Sequence, residues 1–136
     1  MISNAKYGWC TFQIDEFIGS PSYLTDVPVE LLDAFIDYYE RGYGCAEFDE
    51  EGSDFTFLIT AYNLNIFVIS RREELKLYDF SMTKDIDKLA EELIEDIEFH
   101  MYDWINFSVT DDSEELKIRR DILREKIVKL KKLKEG

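Results

Sequence analysis

The chain has 136 residues, of which 30 are acidic and 16 are basic, so its formal net charge is −14 and its isoelectric point lies near 4.4. This charge argues against nucleic-acid binding by the whole surface, because phosphates require a basic footprint. The hydrophobic fraction of 46% is too high for an acidic disordered segment and is sufficient for a core. The sequence contains neither a transmembrane-length apolar run nor a secretory signal pattern. We therefore expect a single cytoplasmic domain spanning residues 1–136, with no nucleic-acid or membrane partner.

The charge is distributed unevenly along the chain. Residues 117–136 contain nine basic and three acidic residues, a net charge of +6, whereas the preceding residues carry −20. An asymmetry of this size predicts either an internal charge match between the two parts or separate binding surfaces.

Residues 7–15 alternate between apolar and polar side chains, which predicts a half-buried strand. A helix is expected to begin at 26–28, where an Asp precedes a Pro in the first turn, and to be ended by Gly42 and Gly44. Residues 45–60 predict a β-hairpin that turns at Glu50-Glu51-Gly52. Two further strands are expected at 66–70 and 75–80, and the short connections favour antiparallel pairing.

Two helices are predicted in the remainder of the chain. Apolar residues at helical spacing indicate a long amphipathic helix from Thr83 to about Ile105. A basic amphipathic helix is expected at about 114–133, after a polar break with capping residues. The order β-α-β-β-β-β-α-α therefore predicts an α+β fold in which an antiparallel sheet of about five strands packs against helices.

Residue types that carry catalysis are sparse. Cys10 and Cys45 lie in strand patterns and are expected to be small buried hydrophobes. Asp96, His100 and Asp103 occupy neighbouring turns of the long helix, so a small metal-binding or hydrolytic domain is an alternative to a binding protein. A surface histidine paired with Asp96 explains the same pattern. We predict no catalytic residue, no metal ligand and no cofactor.

Acidic clusters are the more informative feature. One surrounds the predicted hairpin turn and comprises Asp49, Glu50, Glu51 and Asp54; the other lies on the long helix and comprises Glu95, Glu98 and the neighbouring Tyr102. Negative surfaces of this kind accelerate encounter with a basic protein, and aromatic side chains among them supply anchors. These seven residues are the predicted partner-binding residues.

The basic C-terminal helix has several interpretations. Its apolar residues Leu116, Leu123, Ile127 and Leu130 form a seam that packs on the same domain or, in a homodimeric structural or regulatory subunit, on a second copy. The helix can also lie antiparallel beside the long acidic helix and neutralise it. In that case the exposed acidic surface is mainly the hairpin around Gly52, and a partner is expected to bind there.

The chain resembles the small, acidic, single-domain immunity proteins that bacteria encode beside polymorphic or contact-dependent toxins. The resemblance involves Trp9-Cys10, the segment 22–28 and the acidic turn Glu50-Glu51-Gly52, together with size, acidity, aromatic content and α+β layout. It implies a cytoplasmic inhibitor that binds a basic toxin domain and blocks its active site. No functional residue is carried over from it.

Overall fold

The computed structural model describes residues 1–108 and 110–136, and within them the chain is an α+β protein with two antiparallel sheets and four α-helices. The first sheet consists of β1 (Ile2–Lys6), β2 (Trp9–Ile14) and β3 (Phe17–Gly19), in that order. The predicted strand at 7–15 is its central strand, and Cys10, Phe12 and Ile14 are buried as the alternation requires. The flanking strands β1 and β3 were not predicted, because they are short and their side chains carry little apolar alternation.

The second sheet contains β4 (Tyr43–Asp49), β5 (Asp54–Thr60), β6 (Asn65–Arg71) and β7 (Leu75–Asp79), in that order. It contains the four strands that were predicted after the first helix. The expectation of one sheet of about five strands is wrong in detail, because the N-terminal strands form a separate sheet instead of joining this one. Phenylalanines hold the two sheets together, since the ring of Phe55 lies 5.1 Å from that of Phe12 and 5.0 Å from that of Phe17.

The helices are α1 (Val27–Arg41), α2 (Ile86–Phe99), α3 (Met101–Ile105) and α4 (Ser113–Glu135). Helix α1 packs on the second sheet, and its Phe35 ring lies 5.8 Å from that of Phe57. The closest approach is at Gly44 of β4, where a Cβ atom would lie 1.8 Å from the carbonyl oxygen of Ala34. The absence of a side chain at Gly44 therefore sets the distance between α1 and β4.

The long helix predicted from Thr83 to Ile105 is interrupted at His100, which separates α2 from α3. Its N-cap is Asp85, whose carboxylate accepts a hydrogen bond from the backbone N–H of Lys88 at 3.1 Å. At the break, the indole N–H of buried Trp104 donates to the carbonyl oxygen of Asp96 at 3.1 Å. This bond satisfies a carbonyl group that a continuous helix would have paired, so the apolar stripe remains buried although the helix is broken.

Helix α4 packs mainly on α1 through Leu123, Ile127 and Leu130, which are buried, while Leu116 is half-buried. Packing of this seam on its own domain was one of the sequence-based alternatives. The two helices run parallel, because Lys126 pairs with Asp33 at 2.6 Å and Lys129, further along α4, pairs with Glu40 at 3.4 Å. The seam that a coiled-coil dimer would use is therefore occupied within the domain.

Arg119 joins three helices at the start of α4. Its guanidinium donates hydrogen bonds to the carbonyl oxygens of Trp104, at 3.0 and 3.2 Å, and of Ile105, at 3.0 Å. It also forms an ion pair with Asp26, the residue that precedes α1. One nearly buried cation thus caps the C-terminal end of α3 and compensates a carboxylate at the N-terminal end of α1.

Candidate protein-binding surface

Three acidic residues of the β4–β5 hairpin line a cleft of about 540 Å³, together with Arg71 of β6. Its walls include Glu47, Asp49 and Asp54, and Thr25 contributes from the loop that precedes α1. The loop is held against the hairpin because the backbone N–H of Asp49 donates to the Thr25 hydroxyl at 3.0 Å. The four predicted hairpin acids therefore cluster around one turn, as their spacing in the sequence implies.

Among the predicted hairpin acids, Glu50 has a structural role. Its side chain is only 6% exposed, and its carboxylate accepts hydrogen bonds from Arg72 at 2.9 Å, from the Ser20 N–H at 2.8 Å and from the Ser53 hydroxyl at 3.1 Å. Burial opposes ionisation, but these bonds outweigh it and hold the pKa of Glu50 below its ordinary value. Glu50 thus ties the hairpin turn to β3 and to the β6–β7 turn.

The other three hairpin acids differ in how far they are engaged. Asp49 is half-buried and accepts a hydrogen bond from the Glu51 N–H at 2.6 Å, which stabilises the turn. Asp54 pairs with Arg71 at 3.0 Å on the surface, where the bond is weak. Glu51 is exposed at the turn, with a positive φ of 57°, and makes no side-chain hydrogen bond or ion pair to any described residue. These three carboxylates remain accessible to a cationic group.

The predicted helix acids are separated from the hairpin. Glu95 and Glu98 lie exposed on α2, and Tyr102 lies on α3 with 78% of its surface exposed. Glu98 is paired with Lys131 of α4 at 3.1 Å, and Glu91, about two turns away on the same stripe, is paired with Lys134 at 3.1 Å. No hydrogen bond or ion pair between described residues connects this group to the hairpin. The structure therefore divides the seven predicted residues into two groups.

Helix α4 neutralises part of the acidic body. Among the described residues, five of its basic side chains form ion pairs with acids of the body, two with α2, two with α1 and one with the residue before α1. The expected antiparallel pairing with the long helix is limited to Lys131 and Lys134, because most of the packing is on α1. No ion pair of α4 extends to the hairpin acids in the described part of the chain, so the negative charge there is uncompensated by the tail.

The alternative site at Asp96, His100 and Asp103 is not assembled. Asp96 instead accepts hydrogen bonds from the Met1 amine at 2.9 Å and from the Ile2 N–H at 3.1 Å. His100 Nδ1 lies 3.8 Å from Asp103 Oδ2, and both side chains are exposed. Within residues 1–108 and 110–136, there is no group of three or more His, Cys, Asp or Glu side chains placed to hold a metal ion.

Exposed apolar side chains lie on the loop that supplies Thr25 to the hairpin cleft and on β2, which this loop contacts. Trp9, Tyr23 and Leu24 are 42%, 46% and 58% exposed, and the Tyr23 N–H donates to the Gly8 carbonyl at 2.8 Å. The same loop is tied to the hairpin, since the Ser22 N–H donates to the Asp49 carbonyl at 2.9 Å. Exposed aromatic residues beside carboxylates are typical of the centre and rim of a protein interface.

Sequence reasoning missed the outer face of the second sheet, the face opposite the first sheet. Its central rows are formed by side chains that alternate with the buried phenylalanines, namely Cys45, Glu47, Thr56, Leu58, Phe67, Ile69, Leu77 and Asp79. Leu58, Phe67 and Ile69 are only half-buried, and Leu77 is 58% exposed. The sequence does carry a signal for this apolar face, because residues 66–69 are all apolar. A strand that is buried on one face only would instead alternate apolar and polar side chains.

The two thiols differ in environment. Cys10 is buried, and burial raises its pKa to about 12. Cys45 is exposed on the outer face of the second sheet, where partial burial and the carboxylates of Glu47 and Glu30 raise its pKa above the ordinary value. Contrary to the sequence-based expectation, Cys45 is therefore not a buried hydrophobe, but it is a poor nucleophile at neutral pH.

No protein-family model matches the chain, and neither a curated protein nor a solved structure shows significant similarity to it. In the described part of the chain, no helix combines the length and the apolar character that crossing a membrane requires.

Proposed function

We propose that the chain is a protein-binding module that recognises a cationic protein surface through the acidic hairpin cleft. The observation that carries this proposal is the selective compensation of charge. Helix α4 matches carboxylates on α1 and α2, whereas Glu47, Asp49 and Glu51 form no ion pair with any described residue. A cleft whose negative charge the molecule neutralises only in part, through Arg71 on Asp54, attracts and orients a basic partner.

Within this class, we propose a cytoplasmic bacterial immunity-type inhibitor that neutralises a basic toxin domain. The size, the acidity and the α+β fold support this proposal. Asp49, Glu51 and Asp54 would accept charge-assisted hydrogen bonds from Lys and Arg of the toxin. Glu95, Glu98 and Tyr102 would form a second, separate contact.

The first experiment tests the biological class. The reading frame next to the gene is expressed alone and together with this chain, and growth of the host cells is measured. We expect a toxic product whose toxicity is abolished by co-expression, with a stable complex in gel filtration. A neighbouring product that is harmless, or one that remains toxic and forms no complex, would contradict the immunity assignment.

The second experiment tests the electrostatic site. In the triple variant Asp49→Asn, Glu51→Gln and Asp54→Asn, the association rate with the purified partner is expected to fall about ten-fold at low salt, with a flatter salt dependence. A matched control removes three exposed charges elsewhere, through Asp111→Asn, Glu125→Gln and Glu135→Gln. Equal effects of the two triple variants would show that net charge alone attracts the partner.

A further inference from the structure

The outer face of the second sheet is apolar at its centre, and no element within residues 1–108 and 110–136 forms a layer over it. Leu58 of β5 lies opposite Phe67 of β6, and Ile69 lies opposite Leu77 of β7. Leu75 continues the apolar surface and is 72% exposed. A sheet with an apolar face normally buries it against a second layer, and the first sheet and α1 occupy only the opposite face.

Carboxylates border this apolar surface on both edge strands. Glu47 and Asp49 lie on β4, and Asp79 lies on β7, directly opposite Phe67. Arg71, a cation on the same face, is paired with Asp54. An apolar strip between carboxylates is complementary to apolar side chains flanked by Lys or Arg, and it disfavours a second copy of the same negatively charged face.

A buried polar group also faces outward here. Thr56 lies between Glu47 and Ile69 in the row across the sheet, and it is 7% exposed. Its hydroxyl has no hydrogen-bond partner among the described residues. Buried hydroxyl groups are usually paired, so this hydroxyl is an unsatisfied polar group beneath the open face.

The dimensions of the face indicate the kind of element that covers it. Four strands at a spacing of about 4.8 Å give a width of about 15 Å between the edge strands. An α-helix with side chains has a diameter of about 10 Å, so one helix covers the central strands and leaves the edge carboxylates within reach of its flanking residues.

We propose that this face is the seat of an amphipathic basic helix of the partner protein, with its apolar stripe on Leu58, Phe67, Ile69 and Leu77 and its flanking Lys or Arg residues on the edge carboxylates. This inference rests on the proposed function and specifies the partner's chemistry. It adds an apolar requirement that charge recognition alone does not have.

The test uses two helical peptides of equal charge as probes. Both carry the same lysines flanking one stripe, which consists of leucine in the first peptide and glutamine in the second. Binding is measured by NMR shift mapping and by protection of the exposed Cys45 thiol from alkylation at alkaline pH, where the thiolate forms. We expect the leucine peptide to bind at least about ten-fold more tightly and to protect Cys45.

Variants of the chain separate the apolar and the charged contributions. The double variant Leu75→Thr with Leu77→Thr is expected to lower the affinity for the leucine peptide about ten-fold. Threonine is chosen because β-branched residues are well tolerated in strands. The matched control is Ile118→Thr on α4. Ile118 is 56% exposed, and this variant is expected to leave the affinity for both peptides unchanged. The double variant Glu47→Gln with Asp49→Asn is expected to lower the affinity for both peptides by the same factor.

The outcomes distinguish the two proposals. Equal affinity of the two peptides, with both weakened by the charge variants, would overturn the helix seat and leave the acidic recognition site intact. If the charge variants left the affinity for both peptides unchanged, the proposed function itself would be contradicted. Sedimentation that shows a dimer of this chain dissociated by Leu77→Thr would assign the face to a second copy and overturn the inference.

Discussion

Glu50 illustrates how a residue of one chemical type acquires a specific role through its surroundings. Four acids around one turn have similar sequence contexts, yet Glu50 is the one directed toward Arg72, Ser53 and the backbone of Ser20. Its neighbour Glu51 is directed to solvent. The carboxylate of Glu50 consequently stabilises the fold, whereas that of Glu51 is free to bind.

The first prediction concerns Glu50→Gln. At pH 7 the variant is expected to lose about 1–3 kcal/mol of unfolding free energy, because charged hydrogen bonds are lost from a nearly buried site. Since the folded-state pKa is lowered, the stabilisation is present above the ordinary value of 4.5 and is lost as the pH falls through the folded-state pKa. Urea unfolding of both proteins across this range measures the effect.

The control for this prediction is Glu51→Gln, which is expected to change stability by less than about 0.5 kcal/mol at every pH. Two results would contradict this explanation. Glu50→Gln could be as stable as the parent protein at pH 7, or its loss of unfolding free energy could be the same at acid pH. In either case the hydrogen bonds of the ionised Glu50 carboxylate would not be the cause of the stabilisation.

At the scale of elements, the contact between α1 and β4 depends on a glycine. The sequence suggested that Gly42 and Gly44 together end the helix. The structure assigns them different roles. Gly42 caps the helix with a φ of +91°, whereas Gly44 is already in β4 and lies against the backbone of Ala34.

The second prediction is that Gly44→Ala destabilises the protein by about 3 kcal/mol or more. The added methyl group would overlap the Ala34 carbonyl, and neither backbone can move without displacing the sheet or the helix. Thermal unfolding monitored by circular dichroism measures the change. Gly136→Ala, whose Cβ would have its nearest neighbour at 3.6 Å, is the control with unchanged stability; a Gly44→Ala protein of parental stability would contradict the close approach.

At the scale of the whole molecule, α4 determines both the core and the charge distribution. Its buried residues Leu123, Ile127 and Leu130 complete the core beside α1, and its lysines compensate acids on two helices. Helix α4 thus compensates acids of α1 and α2 but none of the hairpin, where Arg71 and Arg72 pair with Asp54 and Glu50 and the other described acids have no ion pair.

The third prediction follows from this packing. Truncation after Ser113 is expected to unfold the domain, because removing three buried aliphatic side chains costs about 2–5 kcal/mol each, against a total stability of about 5–15 kcal/mol. The gentler variant Leu123→Ala is expected to lower the unfolding free energy by about 2–5 kcal/mol without changing the sedimentation coefficient. A folded monomer from either variant of a dimeric parent would instead assign the seam to a homodimer.

The sequence by itself determined the elements that hydrophobic periodicity and capping residues encode locally: the first helix, the hairpin, the strands that follow it and the basic C-terminal helix. It also located the acids of the turn. These properties depend on near neighbours in the chain, so a single sequence is enough to predict them.

Tertiary structure alone decided how these elements combine. It separated β1–β3 into their own sheet, broke the long helix where Trp104 turns back to Asp96, and placed α4 on α1 instead of along α2. It also assigned Glu50 to the fold and left the apolar outer face of the second sheet open. Each of these outcomes depends on contacts between residues far apart in the chain, and periodicity carries no information about which distant faces meet.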